Sequence, residues 1–188
     1  LFAKWPNTLI GPGEAIVIPE GAGRVFPELE LCAVIGKDAA NVSLADALDA
    51  VFGYTVILDV TARQFGLSQS LVATRCVRKG FDTFGPLGPW LVTRDEIADP
   101  QQLHLWLEVD GHRYQNGNTR TMIFTVAKLV SYLSQCMSLQ PGDVISTGTP
   151  PGVGLGIKPE PVYLKAGQTI RLGIEGLGEQ RQRTVAAE

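Results

Sequence analysis

PELELCAVIG at positions 27–36 and GYTVILDV at 53–60 are the two stretches that decide the fold. The first alternates and then turns continuously apolar, as a half-buried strand entering a core does. The second is β-branched and aromatic, and reads as a core strand. On a strand, residues two apart share a face, so Glu28 and Glu30 point one way and Leu29 and Leu31 the other. Two like charges that close repel unless water or a cation separates them. Glutamates are usually exposed, and the pair alone reads as a solvated outer face. Asp59 shifts the balance, because it ends an otherwise apolar strand. A carboxylate there is costly to bury unless paired or bound to metal. Three carboxylates on two core strands suit a hard divalent cation, Mg²⁺, Mn²⁺ or Ca²⁺ rather than zinc.

Working outward, residues 1–23 read as a Gly/Pro-rich loop with one short strand at 15–18. Ser43 heads a short helix with Asp46 three residues on, and 64–88 is a long irregular, Gly-punctuated region of the kind more often functional than idle. Leu103, Leu105, Leu107 and Val109 alternate with polar residues, and Asp110-Gly111 reads as a type I′ hairpin turn. Val126, Leu129, Val130, Leu133 and Met137 recur at helical spacing within 125–137. Strands are expected at 144–146 and 169–174, and a last polar strand after Gly178. The total is about eight strands and two or three helices without βαβ alternation, a β-rich α+β domain.

The chain has 188 residues, 45% of them apolar, with 21 Gly and 12 Pro. That is one domain, 1–188, too apolar to be disordered. Net charge is −3 with no basic stripe, which argues against a nucleic-acid partner. No apolar run approaches the ~20 residues that span a bilayer. Cys32, Cys76 and Cys136 are odd in number and far apart, which fits a reducing, cytoplasmic setting. Cys76 lies between Arg75 and Arg78, a setting that could lower a thiol pKa, although an inert thiol is the commoner case.

Lys79, in RKGFDTFGPLGP, is flanked by glycine and aromatics and could stabilise an enolate or carboxylate; a solvated loop lysine is the commoner case. Arg63, four residues after Asp59, could fork onto a substrate carboxylate or pair with Asp59 itself. Thr147-Gly148-Thr149-Pro150 ends a strand and could hold an anion on hydroxyls and free N–H groups, or be a plain turn. His104 and His112 have no nucleophile motif nearby and are assigned no catalysis.

Taken in order, FPELELCAVIGKDAANVS, GYTVILDVTARQ, KGFDTFGPLGPWLVT, YQNGNTRTMIF, LQPGDVISTGTPPGVG and LKAGQTIRLGIEGLGEQRQ resemble the fumarylacetoacetate hydrolase family over nearly the whole chain. The resemblance implies a mixed β-roll or sandwich fold, a homodimer, and a Mg²⁺ or Mn²⁺ site, with Ca²⁺ able to stand in within crystals. It places the metal on Glu28, Glu30 and Asp59 and the catalytic lysine on Lys79. It places substrate contacts on Arg63, Gly148, Thr149 and Gln115, with Thr83, Asn118 and Thr119 matching further motif positions. The tail is similar to members that hydrolyse diketo-deoxy sugar acids.

The implied reaction is cleavage of the C–C bond of a 2,4-diketo acid (an acylpyruvate or a 2,4-diketo-3-deoxy sugar acid) to release pyruvate. Members that do this use a His and a Glu on a lid segment N-terminal to this domain; here that segment is expected to precede or overlap Leu1, and the alternative is that the water-activating dyad is absent. Residues 66–78 are unlike the family's usual polar run. Isomerisation or decarboxylation of a 2-oxo-dicarboxylate, of the 2-hydroxyhepta-2,4-diene-1,7-dioate type, is the alternative within the family. A non-catalytic module that binds a metal and a 2-oxo acid is the alternative of another class.

Overall fold

The computed structural model describes residues 1–63 and 75–188. Among these are twelve strands: β1 (Leu9–Ile10), β2 (Ala15–Ile18), β3 (Val25–Phe26), β4 (Leu29–Ile35), β5 (Val51–Leu58), β6 (Thr61–Ala62), β7 (Gly85–Thr93), β8 (His104–Val109), β9 (His112–Asn118), β10 (Val144–Ser146), β11 (Thr169–Ile174) and β12 (Gly178–Ala186). They are joined by two α-helices, α1 (Arg75–Lys79) and α2 (Val126–Cys136), and by short 3₁₀ turns. The strands form one sheet in the order β1-β7-β5-β4-β10, a second in the order β2-β12-β11-β8-β9, and a small β3-β6 pair. This is the expected β-rich architecture.

The strand count is twelve rather than eight. The four additions, β1, β3, β6 and β7, escape a pattern search for different reasons. Three are two residues long. The fourth, GPLGPWLVT, is so rich in Gly and Pro that it reads as a turn. The region expected to be irregular, 64–88, includes α1 and the start of β7; its residues 64–74 lie outside the described residues. Ser43 and Asp46 do bond each other, the hydroxyl donating to Asp46 Oδ2 at 2.7 Å and accepting from Asp46 N at 3.2 Å. The helix that follows is a 3₁₀ turn, Ala47–Ala50.

Apolar alternation builds the core where the two sheets meet. Leu29, Leu31, Val56 and Leu58 from one sheet and Leu107, Ile170 and Leu172 from the other are fully buried. The β8–β9 hairpin turns at Asp110-Gly111, both with positive φ, as the sequence implied. Helix α2 begins at the cap Thr125, whose hydroxyl accepts from Lys128 N. It buries Val126 and Val130 against the core.

The polar strand β12 buries Gln180, Gln182 and Thr184 between exposed arginines. Gln180 Nε2 donates to Val56 O and Gly88 O, and Gln182 Nε2 to Gly11 O, so amide bonds fasten β12 to β5, β7 and the chain start. No helix among the described residues is long and apolar enough to cross a membrane.

Candidate active site

The site follows from the register of β4 on β5. Leu29 lies opposite Leu58 and Glu30 opposite Ile57 in antiparallel pairing. One step further out, Asp59 N donates to Glu28 O at 2.8 Å, so Glu28 and Asp59 face each other just beyond the strand ends. The two-residue periodicity then puts Glu30 on the same face as Glu28. Carboxylate oxygens of Glu28, Glu30 and Asp59 lie within 4.8 Å of one another. All three residues are buried, Asp59 completely.

Lys79, at the end of α1, points its Nζ into this cluster. It donates to Glu28 Oε2 at 2.6 Å, to Thr61 Oγ1 at 2.8 Å, and to Asp59 Oδ2. Burial works to lower the pKa of this ammonium, but Asp59 and Glu28 outweigh it and hold Lys79 above its ordinary range. A second lysine, Lys4, reaches the other oxygen of Asp59 at 2.9 Å. Thr61 and Lys4 were not among the residues picked out by sequence. No local pattern marks Lys4, which lies 55 residues from its partner.

On the far edge of β4, β10 runs antiparallel with Ser146 opposite Cys32, and the chain then continues beside Glu30. Glu30 Oε2 accepts from Ser146 Oγ and, at 2.8 Å, from Gly148 N. Gly148 has φ +100°, a conformation open chiefly to glycine, and this turns its N–H onto the carboxylate. Thr149 Oγ1 donates to Leu29 O at 2.8 Å. Burial pushes the Glu30 carboxyl up to about 7, with the Asp59 charge adding to the effect. The Ser146 and Gly148 bonds and the Lys79 charge oppose it.

The remaining sequence-predicted residues fall around this cluster. Gln115 is fully buried and both ends of its amide are engaged. Its Oε1 accepts from Leu29 N at 3.0 Å, and its Nε2 donates to Thr149 Oγ1 at 2.8 Å and Pro150 O at 3.0 Å. It thus ties the start of β4 to the Gly148-Thr149 segment. Arg63 does not pair with Asp59, which is taken by the two lysines; its guanidinium sits over the Phe26 ring at 5.3 Å, with a buried Nε that has no hydrogen-bond partner among the described residues.

Thr83 accepts from Val17 N, and Thr119 accepts from Leu103 N. Asn118 and Thr119, with Thr147–Pro151, line a cavity of about 580 Å³. His104 and His112 sit exposed on the β8–β9 hairpin, the first bonded to Asn116 and the second against Tyr114. Cys32 is buried in β4, and its thiol is raised to about 12 by burial.

The donor set is all oxygen, buried and convergent, with Lys4 and Lys79 on Asp59 and Glu28 and the Ser146 hydroxyl and Gly148 N–H on Glu30. Those are the properties a hard divalent cation selects, so Glu28, Glu30 and Asp59 fit a Mg²⁺- or Mn²⁺-class ion.

A protein of Burkholderia cenocepacia (strain HI2424), whose name goes no further than a provisional hydrolase, is 62% identical over all 188 residues, which cover 66% of its length. The chain therefore spans about two thirds of the curated relatives it matches. The 2-hydroxyhepta-2,4-diene-1,7-dioate isomerase of Mycobacterium marinum superposes with TM-score 0.86 at 39% identity, over 97% of this chain and 67% of that one. Maleylpyruvate hydrolase of Sphingobium sp. SYK-6, solved with manganese(II) and pyruvate, gives TM-score 0.85 at 37% identity, over 97% and 62%. The family model for the C-terminal part of fumarylacetoacetate (FAA) hydrolase matches residues 1–185, and the chain belongs to that family.

Proposed function

We propose that this protein hydrolyses the C–C bond of a 2,4-diketo acid, an acylpyruvate or a 2,4-diketo-3-deoxy sugar acid, and releases pyruvate. The observation that carries the reading is the buried Glu28–Glu30–Asp59 cluster with the Lys79 ammonium aimed into it. Held by these carboxylates, Mg²⁺ or Mn²⁺ would polarise the 2-oxo acid as a Lewis acid.

The chain's own residues do the rest. The Lys79 ammonium, kept charged by Glu28 and Asp59, stabilises the negative charge that develops on the pyruvate fragment as the C3–C4 bond breaks. Arg63, with its Nε unpartnered among the described residues and its guanidinium over Phe26, takes an anionic or hydroxyl group of the substrate. Gly148 and Thr149 border the substrate and, tied to β4 by Gln115, keep Glu30 in place. The manganese and pyruvate held by the maleylpyruvate hydrolase support this assignment of metal and product. A cytoplasmic homodimer acting on small 2-oxo acids, without nucleic-acid or membrane partners, completes the proposal.

The similarity to the dioate isomerase favours one second reading, proton transfer on a 2-oxo-dicarboxylate without hydrolysis. A panel of acylpyruvates and diketo-deoxy sugar acids separates the two, with enol absorbance and pyruvate followed in EDTA and in added Mg²⁺ or Mn²⁺. Metal-dependent pyruvate release is the expected result. Absorbance change without pyruvate would establish the isomerase instead.

A further inference from the structure

Lys79 is the last residue of a five-residue helix, so its carbonyl has no partner inside the helix. Lys4 supplies one. Its Nζ donates to Lys79 O at 2.8 Å and, with the same ammonium, to Asp59 Oδ1 at 2.9 Å. One side chain thereby bridges the backbone that carries the lysine and a carboxylate of the metal cluster. Its side chain is only 11% exposed.

The neighbours of Lys4 grip the same turn. The Phe2 ring lies 4.8 Å from Lys79 Nζ. Asn7 Nδ2 donates to Gly80 O at 3.1 Å and Asp82 Oδ1 at 2.5 Å. Trp5 packs so closely on Gly80 that any Cβ there would come within 2.6 Å of its ring. Four side chains of residues 2–7 thus hold the 79–82 turn against the cluster.

We propose that Lys4 is a positioning residue of this site, which sets the spacing between Asp59 and Lys79 while competing with the metal ion for the charge of Asp59. This rests on the functional reading above. The two roles pull measurable quantities in opposite directions. Without the Lys4 ammonium, one positive charge next to Asp59 is gone, and a divalent ion binds the cluster more tightly. Without the bridge, Asp59 and the Lys79 turn lose their mutual register, and turnover falls.

The test compares wild type, Lys4→Met and Lys4→Arg, by Mn²⁺ calorimetry, thermal unfolding and steady-state kinetics on the best acylpyruvate of the panel. Lys4→Met is expected to bind Mn²⁺ about tenfold more tightly. Its kcat should drop by about tenfold or more with KM within about twofold. Lys4→Arg, which keeps the charge and two donors, should retain the wild-type Mn²⁺ affinity and recover most of kcat. Weaker or unchanged Mn²⁺ binding in Lys4→Met, or an unchanged kcat, overturns the proposal. A side chain that only stabilised the fold would lower the melting temperature and leave both quantities alone. If wild type turns over no 2,4-diketo acid, the functional reading fails, and the calorimetric comparison alone decides the competition at Asp59.

Discussion

Glu30 gives the sharpest test of the metal site. Its carboxyl is raised from 4.5 to about 7, first by burial and then by Asp59. Because the folded value lies above the unfolded one, the protonated form is the one the fold favours. In metal-free protein this contribution to stability is fully present below about pH 4.5 and is lost as pH rises through 7. The shift of about 2.5 pH units corresponds to about 3 kcal/mol. A divalent cation needs the ionised carboxylate and so reverses the trend. At pH 6 only about one Glu30 in ten is ionised, and the apparent Mn²⁺ affinity should be about tenfold weaker than its plateau above pH 8. Binding at pH 6 should release close to one proton from this group, and almost none at pH 8.5. Calorimetry in two buffers of different ionisation enthalpy measures both quantities. Glu30→Gln should abolish the proton release and most of the affinity. An Mn²⁺ affinity that is flat from pH 6 to 8, with no proton released, would refute the claim that this buried carboxyl is a ligand.

Asp59→Asn should abolish metal-dependent turnover while the far-ultraviolet circular dichroism stays that of wild type, because the residue sits outside both strands and its backbone bond to Glu28 is kept. Lys79→Met should lower kcat about 10²–10³-fold, the cost of losing one charge-stabilising donor. It should also tighten Mn²⁺ binding, since the cluster loses an internal counter-ion; a Mn²⁺ titration checks this. Gln115→Leu strands the buried N–H of Leu29 and frees the Thr149 segment, and should cost about 2–3 kcal/mol in a denaturant melt.

What a sequence exposes is governed by how local the cause is. Glu28, Glu30 and Asp59 were legible because strand periodicity and a charge at the end of an apolar run are local facts, and the β4–β5 register brings them together. Strand β12 was placed by its turn, yet its buried face could not be told from its exposed one. Gln180, Gln182 and Thr184 are as polar as the arginines between them, and only the carbonyls of Val56 and Gly88 decide which amide goes inside. Strand β7 was obscured by composition, and its Pro89 is accommodated where the β5–β7 pairing breaks register between the Gly88 and Val92 pairs.

Lys4 belongs to a third class. Nothing within ten residues of it hints at a partner, since its two bonds span 55 and 75 residues and exist only once the fold brings Asp59 and the Lys79 turn to the chain start. The same holds for Gln115, 86 residues from the Leu29 N–H it satisfies. The carboxylates could be found from their own strands, but the side chains that orient them are selected by backbone groups brought near by the fold. A buried polar atom has to find a partner, so tracing the partners of each carboxylate outward through the fold recovers the supporting residues that sequence periodicity leaves out.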